Sequence, residues 1–347
     1  MLNFGKKYLF SSIGLILVLF LGIYFFPEED APLVQAEQKW KGVCWVGTRD
    51  SLSGGELELL HQTGANALSQ TPFAFQSDVN NPEIRWNAYN DGKWWGETAR
   101  GIETTLDHSK ELGIANILKP HIWVRGSWPG EIEMLNEGDW ELWFENYLGF
   151  IMDYARLAEE LQIPVLCIGT ELEKTTHRTE DWRKVISQIR EVYSGELIYA
   201  ANFTEFEKIE FWDDLDYIGI QAYFPLSKNH KPTLAELKKG WVDPIKKIEK
   251  SVRQFQKPVV FTEIGYCNTV DAAVEPWVWP NERKEVELSE EVQALCYQAF
   301  FETVWEKPWM SGVFFWKWFP KAHNQNPDFT PQGKKAQEVM TAFFLQD

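Results

Sequence analysis

The sequence predicts a single (β/α)8 barrel, and three observations lead there. From Lys39 onward eight short apolar runs recur, most of them separated by longer stretches of helical period. The runs are continuous rather than alternating, as parallel strands buried on both faces must be. A chain of 347 residues is long enough for eight strand–helix units in one domain, with a doubly wound open sheet as the alternative arrangement.

The first strand is read at 42–47 (GVCWVG), followed by a short helix over 56–62 and a second strand at 65–69. A segment rich in Trp, Asn and Gly, 71–97, reads as a loop. Apolar Ile102, Leu106 and Leu112 then mark a helix that Gly113 stops, because glycine accepts the left-handed conformation of a helix end. The third strand is 115–122 (ANILKPHI). Trp140, Phe144, Leu148, Ile151 and Ala155 form one stripe at spacings of three and four, a long helix that leads into the fourth strand, 164–169 (PVLCIG). A helix through Trp182, Ile186, Ile189 and Tyr193 precedes the fifth strand, 197–201, and the sixth follows at 217–222 (YIGIQA). One helix carrying Leu237, Trp241, Ile245, Ile248 and Val252 leads to the seventh strand, 258–262 (PVVFT). A helix over 290–305, the eighth strand at 312–316 (GVFFW) and a closing helix over 332–344 complete the pattern.

Composition narrows the function classes. Charged residues at 24% and hydrophobic ones at 44% are a globular balance, not that of a disordered chain. A net charge of −17 disfavours nucleic acid, whose phosphates need clustered Lys and Arg. Eighteen Trp are several-fold more than an average soluble chain carries. A flat indole suits the apolar face of a sugar ring while its N–H reaches a hydroxyl. Trp94, Trp95, Trp128, Trp277 and Trp279 lie in loop-like stretches and read as a sugar-binding surface. Cys44, Cys167, Cys267 and Cys296 lack the close spacing of a metal or redox site; buried free thiols are the default reading, with a disulfide open if the domain is exported. The histidines have no metal-ligand spacing, so neither a metal nor an organic cofactor is expected.

The N-terminus divides into a basic end (1–7), an apolar run (8–26) and an acidic, Pro-containing tether (27–38) before the barrel domain (39–347). The apolar run is long enough to cross the roughly 30 Å hydrocarbon core of a bilayer. Lys6 and Lys7 precede it, which places the barrel outside the cytoplasm by the positive-inside rule. Two readings remain open, an uncleaved anchor that holds the protein to the membrane and a cleaved signal peptide that releases it. Oligomeric state is silent in the sequence.

In a (β/α)8 barrel the working side chains sit where strands end at the C-terminal face. Those ends carry Trp45 and Arg49 (first strand), His121 and Trp123 (third), Thr170 and Glu171 (fourth), Asn202 (fifth), Tyr223 (sixth), Glu263 (seventh), and Trp316 with Lys317 (eighth). Two glutamates from the fourth and seventh strands can face each other across a sugar. Retaining glycosidases need such a pair, one carboxylate as nucleophile and one carboxyl as acid/base. Glu173, two residues beyond Glu171, is the competing choice for the fourth strand.

The segments VLCIGTELE (165–173), YIGIQAYFP (217–225), VVFTEIGY (259–266) and VFFWKWFP (313–320) resemble glycoside hydrolase family 113, in the clan of retaining (β/α)8 hydrolases. ILKPHIW (117–123) and PDFTPQGKKA (327–336) fit the same pattern, so the resemblance spans about residues 40 to 345. It implies an endo-β-1,4-mannanase-like hydrolase acting on β-mannan or manno-oligosaccharides. It further implies Glu171 as acid/base, Glu263 as nucleophile, Tyr223 as hydrogen-bond partner of the nucleophile, and Trp316 as the platform under the sugar. Trp45, His121, Trp123, Thr170 and Asn202 complete the expected substrate contacts. Thr170 stands where the clan usually has an Asn that holds the sugar 2-hydroxyl. Alternatives on the same residues are a non-catalytic glycan-binding barrel, a transglycosylase and a hydrolase of other β-glucans.

Overall fold

The computed structural model describes residues 32–37, 39–89, 94–282, 287–322 and 326–346. The basic end and apolar run at the N-terminus, and most of the tether, lie outside the described residues. Within those described, no helix is long and apolar enough to cross a membrane.

In chain order the strands are β1 (Trp40–Trp45), β2 (Ala67–Gln70), β3 (Phe73–Gln76), β4 (Ile84–Arg85), β5 (Ala115–Leu118) and β6 (His121–Val124). They continue with β7 (Val165–Thr170), β8 (Glu196–Asn202), β9 (Tyr217–Gln221), β10 (Val259–Ile264) and β11 (Met310–Trp318). Eight of them close a parallel barrel in the order β1-β11-β10-β9-β8-β7-β5-β2. The other three, β4-β3-β6, form a small sheet. The helices are α1 (Glu58–His61), α2 (Ala99–Glu111), α3 (Glu137–Glu160), α4 (Thr179–Arg190), α5 (Leu234–Gly240), α6 (Val242–Phe255), α7 (Glu290–Phe300) and α8 (Lys335–Phe344).

The two-residue period of a strand sorts side chains into two cores. Cys44, Ala67, Ile117, Val165, Cys167, Ile198, Ala200, Val260 and Phe314 belong to one cluster, inside the barrel. Their neighbours Val43, Leu68, Leu166, Ile168, Leu197, Phe261 and Phe315 belong to the larger cluster shared with the helices. All four cysteines are buried thiols. Helix starts are capped by side chains that satisfy otherwise orphan N–H groups: Thr98 accepts from Gly101, Asn136 from Asp139 and Ser289 from Val292. Thr233 and Glu236 form a reciprocal capping box.

The structure corrects the sequence reading in four places. The first strand starts and stops two residues earlier than read, and Trp45 faces the outer core, 3% exposed. Alternation requires this: with Cys44 inside the barrel, Trp45 must point out. The run 115–122 is two strands, β5 and β6, because Pro120 has no N–H to continue the barrel ladder. The stretch 71–97 is not all loop: β6 turns away to pair with β3, whose Phe-Ala-Phe-Gln alternation fits a strand exposed on one face. The single helix expected from Leu237 to Val252 is broken into α5 and α6, since Pro244 cannot donate back to the carbonyl of Gly240.

Close approach of β8 and β9 is set at Gly219, where a Cβ would meet the carbonyl oxygen of Tyr199 on the neighbouring strand. Gly219→Ala should therefore lower stability by about 1–3 kcal/mol, the usual range for overpacking. Thermal or urea unfolding measures it, and an unchanged midpoint would show that the two strands are free to separate.

Candidate active site

The seventh barrel strand, β10, carries Glu263 one residue from its end, with its side chain buried. Its Oε1 accepts from Lys119 Nζ at 2.5 Å and its Oε2 from the Tyr223 hydroxyl at 2.7 Å. Lys119 directly follows β5 and is 1% exposed. Its ammonium also donates to the Thr262 carbonyl at 3.1 Å and lies 3.9 Å from Cys44 Sγ. Burial works against that charge, but the Glu263 carboxylate offsets it, and the amine stays above the ordinary lysine range. The same burial pushes the Cys44 thiol up to about 12, so it remains protonated. Glu263 thus has a charged donor on one oxygen and a hydroxyl donor on the other.

His121 opens β6 with Nε2 3.8 Å from Glu263 Oε1. Burial, and then the Lys119 ammonium, hold its pKa well below the usual histidine value, so the ring is neutral. It packs between Phe73 and Trp316, with ring centroids 5.0 and 6.4 Å away.

Glu171 directly follows the fourth barrel strand, β7, in the left-handed region at φ 53°. A non-glycine residue there costs on the order of 1 kcal/mol and persists only where neighbours fix it. Two bonds do so: Glu171 N–H donates to the Ala200 carbonyl at 2.9 Å, and Leu172 N–H to the Tyr199 hydroxyl at 3.0 Å. Oε2 of Glu171 accepts from Trp128 Nε1 at 2.7 Å and Oε1 from Asn202 Nδ2 at 3.2 Å. Burial first and the nearby Glu263 second push its pKa up to about 7, against the opposing pull of Trp128, Lys119 and Asn202. Glu205 lies beneath, fully buried, and accepts from Asn202 N–H at 3.1 Å. Burial holds its pKa well above the carboxylate range, which makes it a neutral support for the Asn202 loop.

The remaining predicted residues lie in several different settings. Glu173 is engaged elsewhere, by the Thr204 hydroxyl at 2.7 Å and Lys208 at 3.5 Å. Thr170 is buried and its hydroxyl donates to the Pro120 carbonyl at 3.3 Å, so it is tied into the barrel wall. Trp45, expected at the mouth, is in the outer core instead. Trp316 and Trp279 meet edge to face at 6.4 Å, and Lys317 lies over both rings. Trp123 is 51% exposed and stacks on Phe75; Trp277, also exposed, stacks on Phe203. Among the described residues, no group of three or more His, Cys, Asp or Glu side chains is gathered as a metal site.

Sequence reasoning did not single out Lys119, although a lysine inside the apolar run ANILKPHI is itself a signal of a paired buried charge. Glu205, in the polar stretch after the fifth barrel strand, carries no such signal.

Comparison with known proteins bears on what this arrangement does. The sequence model of Glycoside Hydrolase Family 113 matches residues 45–334. A solved family 113 β-1,4-mannanase superposes with TM-score 0.77 at 24% identity, over 89% of this chain and 100% of that one. The family 113 β-mannanase of Alicyclobacillus acidocaldarius gives TM-score 0.76 at 22% identity, over 92% and 99%. A β-glucuronidase from Ruminococcus gnavus gives TM-score 0.57 at 14% identity, over 90% of this chain and 50% of that one. At these identities the superpositions establish a common fold. No curated protein sequence matches the chain.

The buried Lys119–Glu263 pair makes a direct prediction. Lys119→Met strands a buried carboxylate and should cost about 3–5 kcal/mol at neutral pH. Adding Glu263→Gln should return much of that loss. Urea unfolding of the two single variants and the double variant measures the coupling, and additive costs would mean the pair does not interact.

Proposed function

The chain belongs to glycoside hydrolase family 113, and on that premise we propose that it hydrolyses β-1,4-linked mannan or manno-oligosaccharides by double displacement. Glu263 is the nucleophile and Glu171 the acid/base. One observation carries the assignment: the two glutamates sit in opposite electrostatic surroundings. Glu263 is held by an ammonium and a phenol, whereas Glu171 is buried beside a negative charge and titrates near 7. Two carboxyls whose surroundings separate their protonation states are what a retaining glycosidase requires.

In the first step Glu263 attacks the anomeric carbon while Glu171 gives its proton to the departing glycosidic oxygen. The covalent bond to Glu263 removes its charge, and with it the main electrostatic reason for Glu171 to hold a proton. Glu171 is then the base that takes a proton from the attacking water, and release of the sugar restores both groups. Lys119 and Tyr223 stabilise the negative charge that returns to Glu263 as the glycosyl–enzyme bond breaks. Trp316, on the eighth barrel strand, is the sugar platform, with Trp123, Trp277 and Trp279 as further stacking surfaces and the neutral His121 beside the nucleophile. Thr170 has no side-chain amide and its hydroxyl is bound to Pro120; the amide beside Glu171 is that of Asn202, which supports Asn202 as a polar contact to the sugar. The same proposal sets the barrel outside the cytoplasm on the strength of the apolar run at 8–26, since a polysaccharide is degraded where it is met.

The family likeness to mannanases favours mannan over other β-glycans, and a panel of purified β-mannan, glucomannan, cellulose and xylan with product sizes recorded tests it. Glu171→Ala should lose on the order of 10²–10⁴ in rate on mannan while remaining folded. It should lose far less on an aryl β-mannoside with a good leaving group, where azide should restore turnover and give the β-mannosyl azide. Full activity of Glu171→Ala, or an α-azide product, would contradict the scheme. Because a raised carboxyl pKa means the proton is held up to that pH, wild-type kcat/KM should fall as pH rises through about 7.

A further inference from the structure

Trp128 is half-buried in the segment that follows β6, before a 3-10 turn at Pro129–Glu131. Pro129 confines the residue before it to extended backbone, and Trp128 adopts φ −97°, ψ 141° accordingly. Its ring lies against Gly130, where any Cβ would collide with the benzo edge of the indole. Gly126, at φ 69°, makes the turn that brings the chain back. From the other side, Lys174, three residues past Glu171, bridges to Glu131 at 2.8 Å and Glu133 at 3.1 Å. The segment is thus shaped to seat one indole and is tied to the chain that carries Glu171. The indole N–H meets Oε2 of Glu171 at 2.7 Å.

We propose that Trp128 is a positioning residue for the acid/base: its indole N–H fixes the Glu171 carboxyl and favours its ionised form, so this segment sets the upper pH limit of the reaction. The inference rests on the acid/base role of Glu171. An indole N–H can only donate, so its partner oxygen is favoured without a proton. One lone pair of Oε2 is taken by Trp128 and one of Oε1 by Asn202, which leaves the opposite lone pairs for the catalytic proton. The other charged or titratable groups acting on Glu171 are Glu263 on β10 and Lys119 after β5, with Tyr223 after β9 and the neutral Glu205 after β8 coupled to it. Glu263 and burial raise the proton affinity of Glu171; Trp128, Lys119 and Asn202 lower it. Of the last three, only Trp128 belongs to a segment outside the barrel strands and their ends.

The test is the pH dependence of kcat/KM on a manno-oligosaccharide for wild type, Trp128→Phe and Gly130→Ala. Trp128→Phe keeps an aromatic ring but has no donor, and the midpoint of its alkaline limb should move up by about one pH unit, the scale of a hydrogen bond to a charged group. Gly130→Ala keeps the N–H but unseats the ring, and should move the midpoint in the same direction. It also carries the test if Trp128→Phe fails to fold. With an activated aryl mannoside, where return of the base form limits turnover, kcat should fall in both. An unmoved midpoint with only KM increased would overturn the proposal and leave Trp128 as a stacking surface. Glu171→Gln, run beside them, separates the two levels. If it remains active, the acid/base assignment itself is wrong; if it is inactive while the midpoint stays put, only the role of Trp128 falls.

Discussion

A lysine ammonium with almost no access to water is expensive to keep charged, and in this barrel one is kept charged beside Glu263. The Born cost of burying either ion alone is many kcal/mol, so neither group is tolerable without the other. Lys119 is satisfied by the Glu263 carboxylate and the Thr262 carbonyl, and Glu263 by Lys119 and Tyr223. Three barrel strands, β5, β9 and β10, must therefore end in register for the site to exist. Pro120 supports this: it stops the ladder immediately after Lys119 and turns the chain into β6, which brings His121 to the same carboxylate.

The fixed charge on Glu263 has a consequence across the mouth. It is the second largest reason, after burial, that Glu171 holds a proton near neutral pH. In the proposed mechanism a single carboxylate would serve as nucleophile and as the electrostatic device that arms its partner, and formation of the covalent bond would switch that device off. The strained backbone of Glu171 fits the same logic. A residue at positive φ directly after a strand turns its side chain sharply out of the strand direction, and the Tyr199 hydroxyl and Ala200 carbonyl that hold the turn lie on the adjacent strand β8. Reactive geometry here is stored in strand-to-strand bonds, not in a loose loop.

Much of this was legible in the sequence because parallel strands buried on both faces announce themselves as continuous apolar runs, and all eight barrel strands follow from them. The positions of Glu171, Glu263, Tyr223, Asn202 and Trp316 at strand ends came with that pattern. What stayed hidden depends on contacts between distant segments. Trp45 and Cys44 are adjacent and both apolar, so only knowledge of which one faces the barrel axis sends the tryptophan to the outer core. The branching of β6 away from the barrel depends on a partner, β3, in a stretch whose tryptophans and glycines look like loop. The break between α5 and α6 had a local signal in Pro244 that the apolar stripe overrode. Thr170 was legible as a departure from the clan, but its commitment to the Pro120 carbonyl is a tertiary fact.

In the proposed mechanism the carboxylate held by Lys119 and Tyr223 is the one that bonds to the sugar. Incubation with 2-deoxy-2-fluoro-β-mannosyl fluoride, followed by intact-mass and peptide mass spectrometry, tests it most directly, because the 2-fluorine slows both formation and hydrolysis of the glycosyl–enzyme while the good leaving group restores its formation, so the intermediate accumulates. The structure predicts one covalently bound sugar per chain, on the peptide containing Glu263, with activity lost in step with labelling. A label on Glu171 or on any other residue, with Glu263 unmodified, would contradict it.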